Sequence, residues 1–204
     1  MEIKPKEIRS TLGNHILVDG FDPIIDLDNS INSWLVDQIS GEKYLDMFSM
    51  FASGSIGYNH PKIIDQKDAL AKVAIHKPTL SDIYCEPYAK FMKIFHDTAI
   101  PEYLPHAFFI EGGALAVENS LKVAFDWKTR LNKTKGINIE SSKIIHFKQA
   151  FHGRTGYTMS LTNTDPIKVE YFPKFNWPRI TNPALKFPVD DNILNMVEKK
   201  EILA

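Results

Sequence analysis

Hydrophobic and polar positions along the chain switch between two periods. Residues 24–48 carry short apolar runs split by turn-forming residues. Ile24-Ile25-Asp26-Leu27, Trp34-Leu35-Val36 and Tyr44-Leu45-Asp46-Met47-Phe48 read as strands, joined through Asp28-Asn29-Ser30 and Ser40-Gly41-Glu42-Lys43, so a β-meander is expected. Residues 49–61 are small and glycine-rich and read as a loop. A helix is expected from Lys62 to His76, after Pro61. Beyond Pro87, the residues Tyr88, Phe91, Met92 and Phe95 follow i, i+3, i+4, i+7, the stripe of an amphipathic helix with its aromatic face in the core.

The second half is built differently. Ala107-Phe108-Phe109-Ile110 reads as a strand that stops at Glu111-Gly112-Gly113. A helix follows at once, with Ala114, Val117, Leu121, Ala124 and Phe125 as its buried face. Glu118 and Lys122 on that helix read as an exposed i,i+4 pair or a structural contact. Lys143-Ile144-Ile145-His146-Phe147 reads as a buried strand. Five prolines between 165 and 188 mark an irregular, extended segment. Asp190-Asp191 then opens a helix with Ile193, Met196 and Val197 inward. No Gly, Asn or Pro closes that helix in Lys199 to Ala204, so its pattern is still running at the last residue given.

Composition narrows the class. The 204 residues are 44% hydrophobic and 24% charged with net charge −1, which suits a globular domain and gives no reason to expect nucleic acid or an anionic membrane as partner. No apolar run approaches the roughly 20 residues that span a bilayer. The start, MEIKPKEIRSTLG, has no apolar core of a secretory signal. Cys85 is the single cysteine, so no disulfide framework is expected. The scattered histidines form no i,i+4 pair and no CxxC exists, so no metal site is expected. A cytoplasmic location is the expectation.

Two stretches carry candidate chemistry. In HAFFIEGGALAVENSLK (His106 to Lys122), a strand, a glycine turn and a helix start follow one another. The unpaired N–H groups of a first helical turn and the helix dipole favour an anion, and glycines let backbone approach it closely. The same junction also serves as a plain tight turn, with Gly112 there for packing. The second stretch is Gln149 to Tyr157, QAFHGRTGY, where a ring, an imidazole and a guanidinium lie within four residues beside two glycines. In an open α/β sheet such loops gather ligand contacts. Phe151 offers a flat stacking face, and Arg154 offers a fork for a carboxylate. A packed Phe and a solvated Arg are the plainer alternatives.

These residues carry a family resemblance. EGGALAVENSLKVAFDWK, KQAFHGRTGYTMSLTNT, FPKFNWPRI and the earlier YLDMFSMFASGSIGYNHPK resemble the class III (omega) pyridoxal-phosphate aminotransferases, over about residues 15–180. Class III enzymes generally carry a serine or asparagine before the glycine and a Thr-Glu pair after it. Gly112-Gly113-Ala114-Leu115 departs from that pattern in the manner of the family's lysine 6-aminotransferase branch.

The resemblance implies an α/β fold, the N-terminal part of a fold-type-I transferase. Residues 1–61 would be a β-rich segment of the small domain, and 62–204 an incomplete cofactor-binding large domain. It implies pyridoxal 5'-phosphate held by Gly113, Ala114 and Phe151, with Arg154 on the substrate carboxylate. It further implies L-lysine as donor, 2-oxoglutarate as acceptor and a homodimer in the full-length enzyme. The Schiff-base lysine and the aspartate that pairs the pyridinium would lie beyond residue 204. Lys122, Lys143 and Lys148 do not match the context of that lysine, and His152 is left structural.

An ornithine-type ω-amino acid aminotransferase and a non-catalytic module that binds phosphate esters remain as alternatives. A nucleotide-binding enzyme is disfavoured, because the turn lacks the third glycine of GxGxxG and any Gly-Lys-Ser/Thr.

Overall fold

The computed structural model describes residues 2–76, 82–139, 142–182 and 184–203. The chain forms two compact units, Met1–Pro101 and Glu102–Ala204.

The first unit opens with a 3-10 turn over Pro5–Glu7 that runs into helix α1, Ile8–Gly13. Strands β1 (Trp34–Val36) and β2 (Lys43–Leu45) pair antiparallel, with Leu35 opposite Tyr44. The expected first strand of the meander is reduced to a single bridge between Ile25 and Asp37. Backbone bonds from the Asp26 N–H to the Val36 carbonyl (2.8 Å) and from the Gln38 N–H to the Ile24 carbonyl (2.6 Å) make that bridge, and a side chain reinforces it. Asp37 accepts from the Ile24 N–H at 2.8 Å, the Ser40 N–H at 2.9 Å and the Ser40 hydroxyl at 2.6 Å. The Ser40 hydroxyl, then the backbone N–H groups, hold its carboxyl down at about 2. Buried Ser30 accepts from the Val36 N–H at 2.9 Å and ties the turn to β1.

Residues 49–61 are not all loop. Ser49–Ala52 (α2) is one helical turn whose residues have positive φ, between 48° and 64°. Left-handed backbone costs roughly 1–2 kcal/mol per non-glycine residue. Asp46 helps to hold this turn, accepting from the N–H groups of Phe48 (2.9 Å) and Ser49 (2.7 Å) and from the Tyr58 hydroxyl (2.7 Å). The expected helix at 62–76 is split into α3 (Pro61–Ile64) and α4 (Lys67–Ala74), because Gln66 leaves the helical region at φ −101°, ψ 10°. Helix α5 (Glu86–Thr98) carries the expected stripe. Phe91 and Phe95 stack at 5.6 Å, but the stripe is only half-buried, and Phe91 is exposed.

In the second unit, 107–110 lies in no ladder among the described residues, and Phe108 is largely exposed. A strand exists only through a neighbour for its backbone groups, which an apolar run cannot supply. Helix α6 (Gly113–Thr134) is the longest helix among the described residues. Its inward face is Val117, Leu121 and Phe125, while Ala124 is exposed, contrary to the periodic pattern.

The expected strand 143–147 shortens to β3, His146–Phe147. Helix α7 (Gly156–Leu161) follows. The proline-rich segment contains β4, Arg179–Ile180, which pairs parallel to β3. Ile145 and Phe147 are exposed, so β3 is not covered on both faces. Helix α8 (Asp191–Ile202) is capped by the Asp190 carboxylate, which accepts from the Ile193 N–H at 2.8 Å. Ile193 and Val197 are half-buried, and Met196 is exposed.

The core of this unit gathers Leu121, Leu161 and Trp177, with Val117, Phe125, Ile144 and Tyr157 packed against them. Phe175 and Trp177 stack at 5.1 Å, and the Trp177 indole N–H donates to the Ser142 carbonyl at 2.7 Å. This cluster seats α7 on α6 and so fixes the loop between β3 and α7.

Candidate functional site

Helix α6 begins at a residue with no side chain to cap it. Gly112 sits at φ 83°, ψ 148°, a conformation that disfavours any side chain. A Cβ placed on Gly112 or Gly113 would meet nothing within 4 Å. The start of this 22-residue helix therefore has no side-chain cap and open space beside both glycines, and a first helical turn carries unpaired N–H groups and the positive end of the dipole. An anion suits these properties.

The loop 148–156 comes to this helix at one point. Gly153 has φ 121°, and a Cβ there would lie 2.4 Å from the Ala114 Cβ and 2.9 Å from the Ala114 Cα. Only a glycine allows this approach. Gly153 is buried on Ala114, one residue past Gly113, while its neighbour Arg154 is exposed. The sequence signal for this contact was visible as a glycine between His152 and Arg154, but its partner was not.

Threonines pin the loop on its inner side. Thr162 donates its hydroxyl to the Gly153 carbonyl at 2.6 Å and accepts from the His152 N–H at 3.0 Å. Thr155 caps α7: its N–H donates to the Thr158 hydroxyl at 3.0 Å, and the two hydroxyls meet at 2.8 Å. The Thr155 hydroxyl also donates to the Glu118 carboxylate on α6. Glu118 is therefore half-buried and engaged with another element. Asn163 accepts from the Gln149 N–H and donates to the carbonyls of Phe147 (3.2 Å) and Leu161 (3.0 Å). Thr155, Thr158, Thr162 and Asn163 had no assigned part in the sequence pattern.

On the outer side, Phe151 is 59% exposed, and the Arg154 guanidinium lies 5.9 Å from its ring centroid. That distance is within cation–π range. The structure thus brings Gly113, Ala114, Gly153 and the loop carrying Phe151 and Arg154 into one neighbourhood. His152 is tied to the scaffold by its backbone N–H, which donates to the Thr162 hydroxyl.

Behind the loop, His146 is buried and its Nε2 accepts from the Arg179 Nε at 2.9 Å. Its other nitrogen faces the Ile144 carbonyl at 3.4 Å and so carries the proton. Burial first, and then the nearby Arg179 charge, holds the imidazole below its ordinary value.

The family profile for aminotransferase class-III matches residues 19–203. The chain belongs to the class III aminotransferases.

Among curated class III relatives, the L-lysine-epsilon aminotransferase of Amycolatopsis lactamdurans is 47% identical over 187 residues, covering 90% of this chain and 42% of the relative. The L-lysine-epsilon aminotransferase of Mycobacterium tuberculosis is 44% identical over 202 residues, covering 97% of this chain and 45% of the relative. A solved structure described as lysine aminotransferase from M. tuberculosis in the internal aldimine form superposes with a TM-score of 0.88 at 43% identity, over 98% of this chain and 47% of that one. The fold is thus that of part of a fold-type-I α/β enzyme. The chain spans less than half the length of these relatives.

Proposed function

We propose that the whole protein is an aminotransferase that uses pyridoxal 5'-phosphate to move the 6-amino group of L-lysine to 2-oxoglutarate. The observation that carries this is the seating of the Phe151–Arg154 loop on the open mouth of α6 through the Gly153–Ala114 contact. Identity of 44–47% to two L-lysine-epsilon aminotransferases supports lysine as the donor.

The residues present fit the cofactor. The uncapped, open start of α6 suits its phosphate, and the exposed ring of Phe151 suits its flat pyridine. When bound, the cofactor supplies an electron sink for bond cleavage at the donor carbon. Gly113 and Ala114 donate their N–H groups to the phosphate. Phe151 stacks on the ring and keeps water from that face. Arg154 clamps the substrate α-carboxylate in two hydrogen bonds, leaving the far 6-amino end of lysine to approach the cofactor. The Schiff-base lysine is assigned beyond residue 204, so none of the chain's own lysines moves the proton.

In the family's terms we assign residues 1–61 to the small domain and 62–204 to the large one, and we place the whole enzyme in the cytoplasm as a homodimer. The family resemblance supports the domain division and the homodimer, and the single cysteine is in keeping with the cytoplasm.

The test is the protein expressed from its full reading frame. It should retain pyridoxal phosphate through dialysis, with visible absorbance, and form glutamate from 2-oxoglutarate when lysine is added. A protein that binds no cofactor and yields no glutamate with any ω-amino donor would overturn the assignment.

A further inference from the structure

We propose that Glu118 is a positioning residue that latches the Thr155 hydroxyl and so sets the distance from the α6 cradle to Arg154, tuning the enzyme to donors that carry a carboxylate. The proposal rests on the lysine aminotransferase assignment for its substrate part. The latch itself stands on geometry alone.

Glu118 lies four residues after Ala114, on the same face of α6 and one turn deeper. Two adjacent points of the helix therefore grip two alternate points of the loop. Ala114 meets Gly153 through van der Waals contact, and Glu118 accepts from the Thr155 hydroxyl. Arg154 is the residue between these points. Gly153 is buried, Arg154 exposed and Thr155 half-buried, so the peptide on each side of Arg154 is held while its side chain projects outward.

The grip extends into α7. Thr158 is fully buried and takes both the N–H and the hydroxyl contact of Thr155. A hydroxyl that donates to the carboxylate still accepts from Thr158, so Thr155 is used in both directions. Donation to a charged acceptor is stronger than donation to a neutral one.

Loss of the carboxylate leaves Thr155 with its α7 contacts only. The loop stays in place through Thr162, but the segment 153–156 loses its tie to the cradle helix. Arg154 then samples a wider range of positions relative to the cradle. A donor whose carboxylate must reach Arg154 is penalised, and a diamine without a carboxylate is not.

The experiment uses the full-length protein and the variants Glu118→Ala, Glu118→Gln and Thr155→Val. Hydrogen exchange over residues 152–158, measured without substrate, should accelerate about tenfold in Glu118→Ala and Thr155→Val, the scale of one lost charge-assisted hydrogen bond. Glu118→Gln retains an acceptor and should stay near the parent. In steady-state kinetics, KM for lysine should rise about tenfold with kcat changed less, while cadaverine turnover is unaltered. Unchanged exchange at 152–158 in both Glu118→Ala and Thr155→Val would overturn the latch. Faster exchange with equal losses on lysine and cadaverine would overturn its role in donor choice. A parent protein inactive on lysine would fault the functional assignment, while the exchange data would still judge the latch.

Discussion

A Cβ on Gly153 would stand 2.4 Å from the Cβ of Ala114, so the loop bearing Phe151 and Arg154 rests on the first turn of α6 with no room for a side chain. Gly113, the neighbour of Ala114, faces open space instead. Two glycines at one site therefore have opposite surroundings: one is closely packed, the other open.

The contrast is measurable. Gly153→Ala should destabilise the protein by about 1–3 kcal/mol, from overpacking together with an unfavourable φ. Gly113→Val should leave stability within about 1 kcal/mol, since nothing crowds the new side chain. The same Gly113→Val change in the full-length enzyme should weaken pyridoxal phosphate retention after dialysis. Unchanged cofactor affinity would remove Gly113 from the cradle.

Phe151 should behave as a platform, because more than half of its surface is free. Phe151→Tyr should be tolerated. Phe151→Ala should lose about tenfold in cofactor affinity, equivalent to about 1.4 kcal/mol. Its melting temperature without cofactor should move little. Equal losses with and without cofactor would mark the ring as core instead.

Arg154 is assigned to the α-carboxylate of the donor. Arg154→Ala should lower kcat/KM for lysine by roughly one to two orders of magnitude, as for the loss of a charged pair. Cadaverine has no carboxylate and should be little affected. An equal loss on both donors would mean that Arg154, 5.9 Å from the Phe151 ring, supports the loop or the cofactor instead.

His146 should make stability depend on pH. Its folded value lies below the ordinary 6.5, so the unfolded chain binds the proton more readily. The stabilisation is present in full above 6.5 and is lost as pH falls through the lowered value. A protonated ring also loses the lone pair that accepts from Arg179. Thermal melts should show this acid loss, and His146→Gln, which retains an acceptor but does not titrate, should flatten it. A parent profile as flat as that of His146→Gln would refute the link.

Much of the local order was legible along the chain. Helix α6 starts where Gly112-Gly113 ends an apolar run, and its period of 3.6 names Val117, Leu121 and Phe125 as the inner face. Pro87 and Asp190 mark the starts of α5 and α8 because their chemistry acts within one turn. Strands were less legible. Ala107 to Ile110 has the composition of a strand but no ladder among the described residues, and Arg179-Ile180 has a ladder without the composition. Ladder formation depends on a distant neighbour, which a local pattern does not contain.

The residue types of the site and their order along the chain were determined by the sequence alone: an uncapped helix start, a ring, a glycine and a guanidinium. Only the tertiary structure decided that Gly153 lands on Ala114, that Thr155 reaches Glu118 from 37 positions away, and that Arg179 turns inward to His146. Periodicity reports which side of an element is apolar. Contacts between elements are selected by the packing of whole faces around Leu121, Leu161 and Trp177, and that selection exists only once the chain has folded.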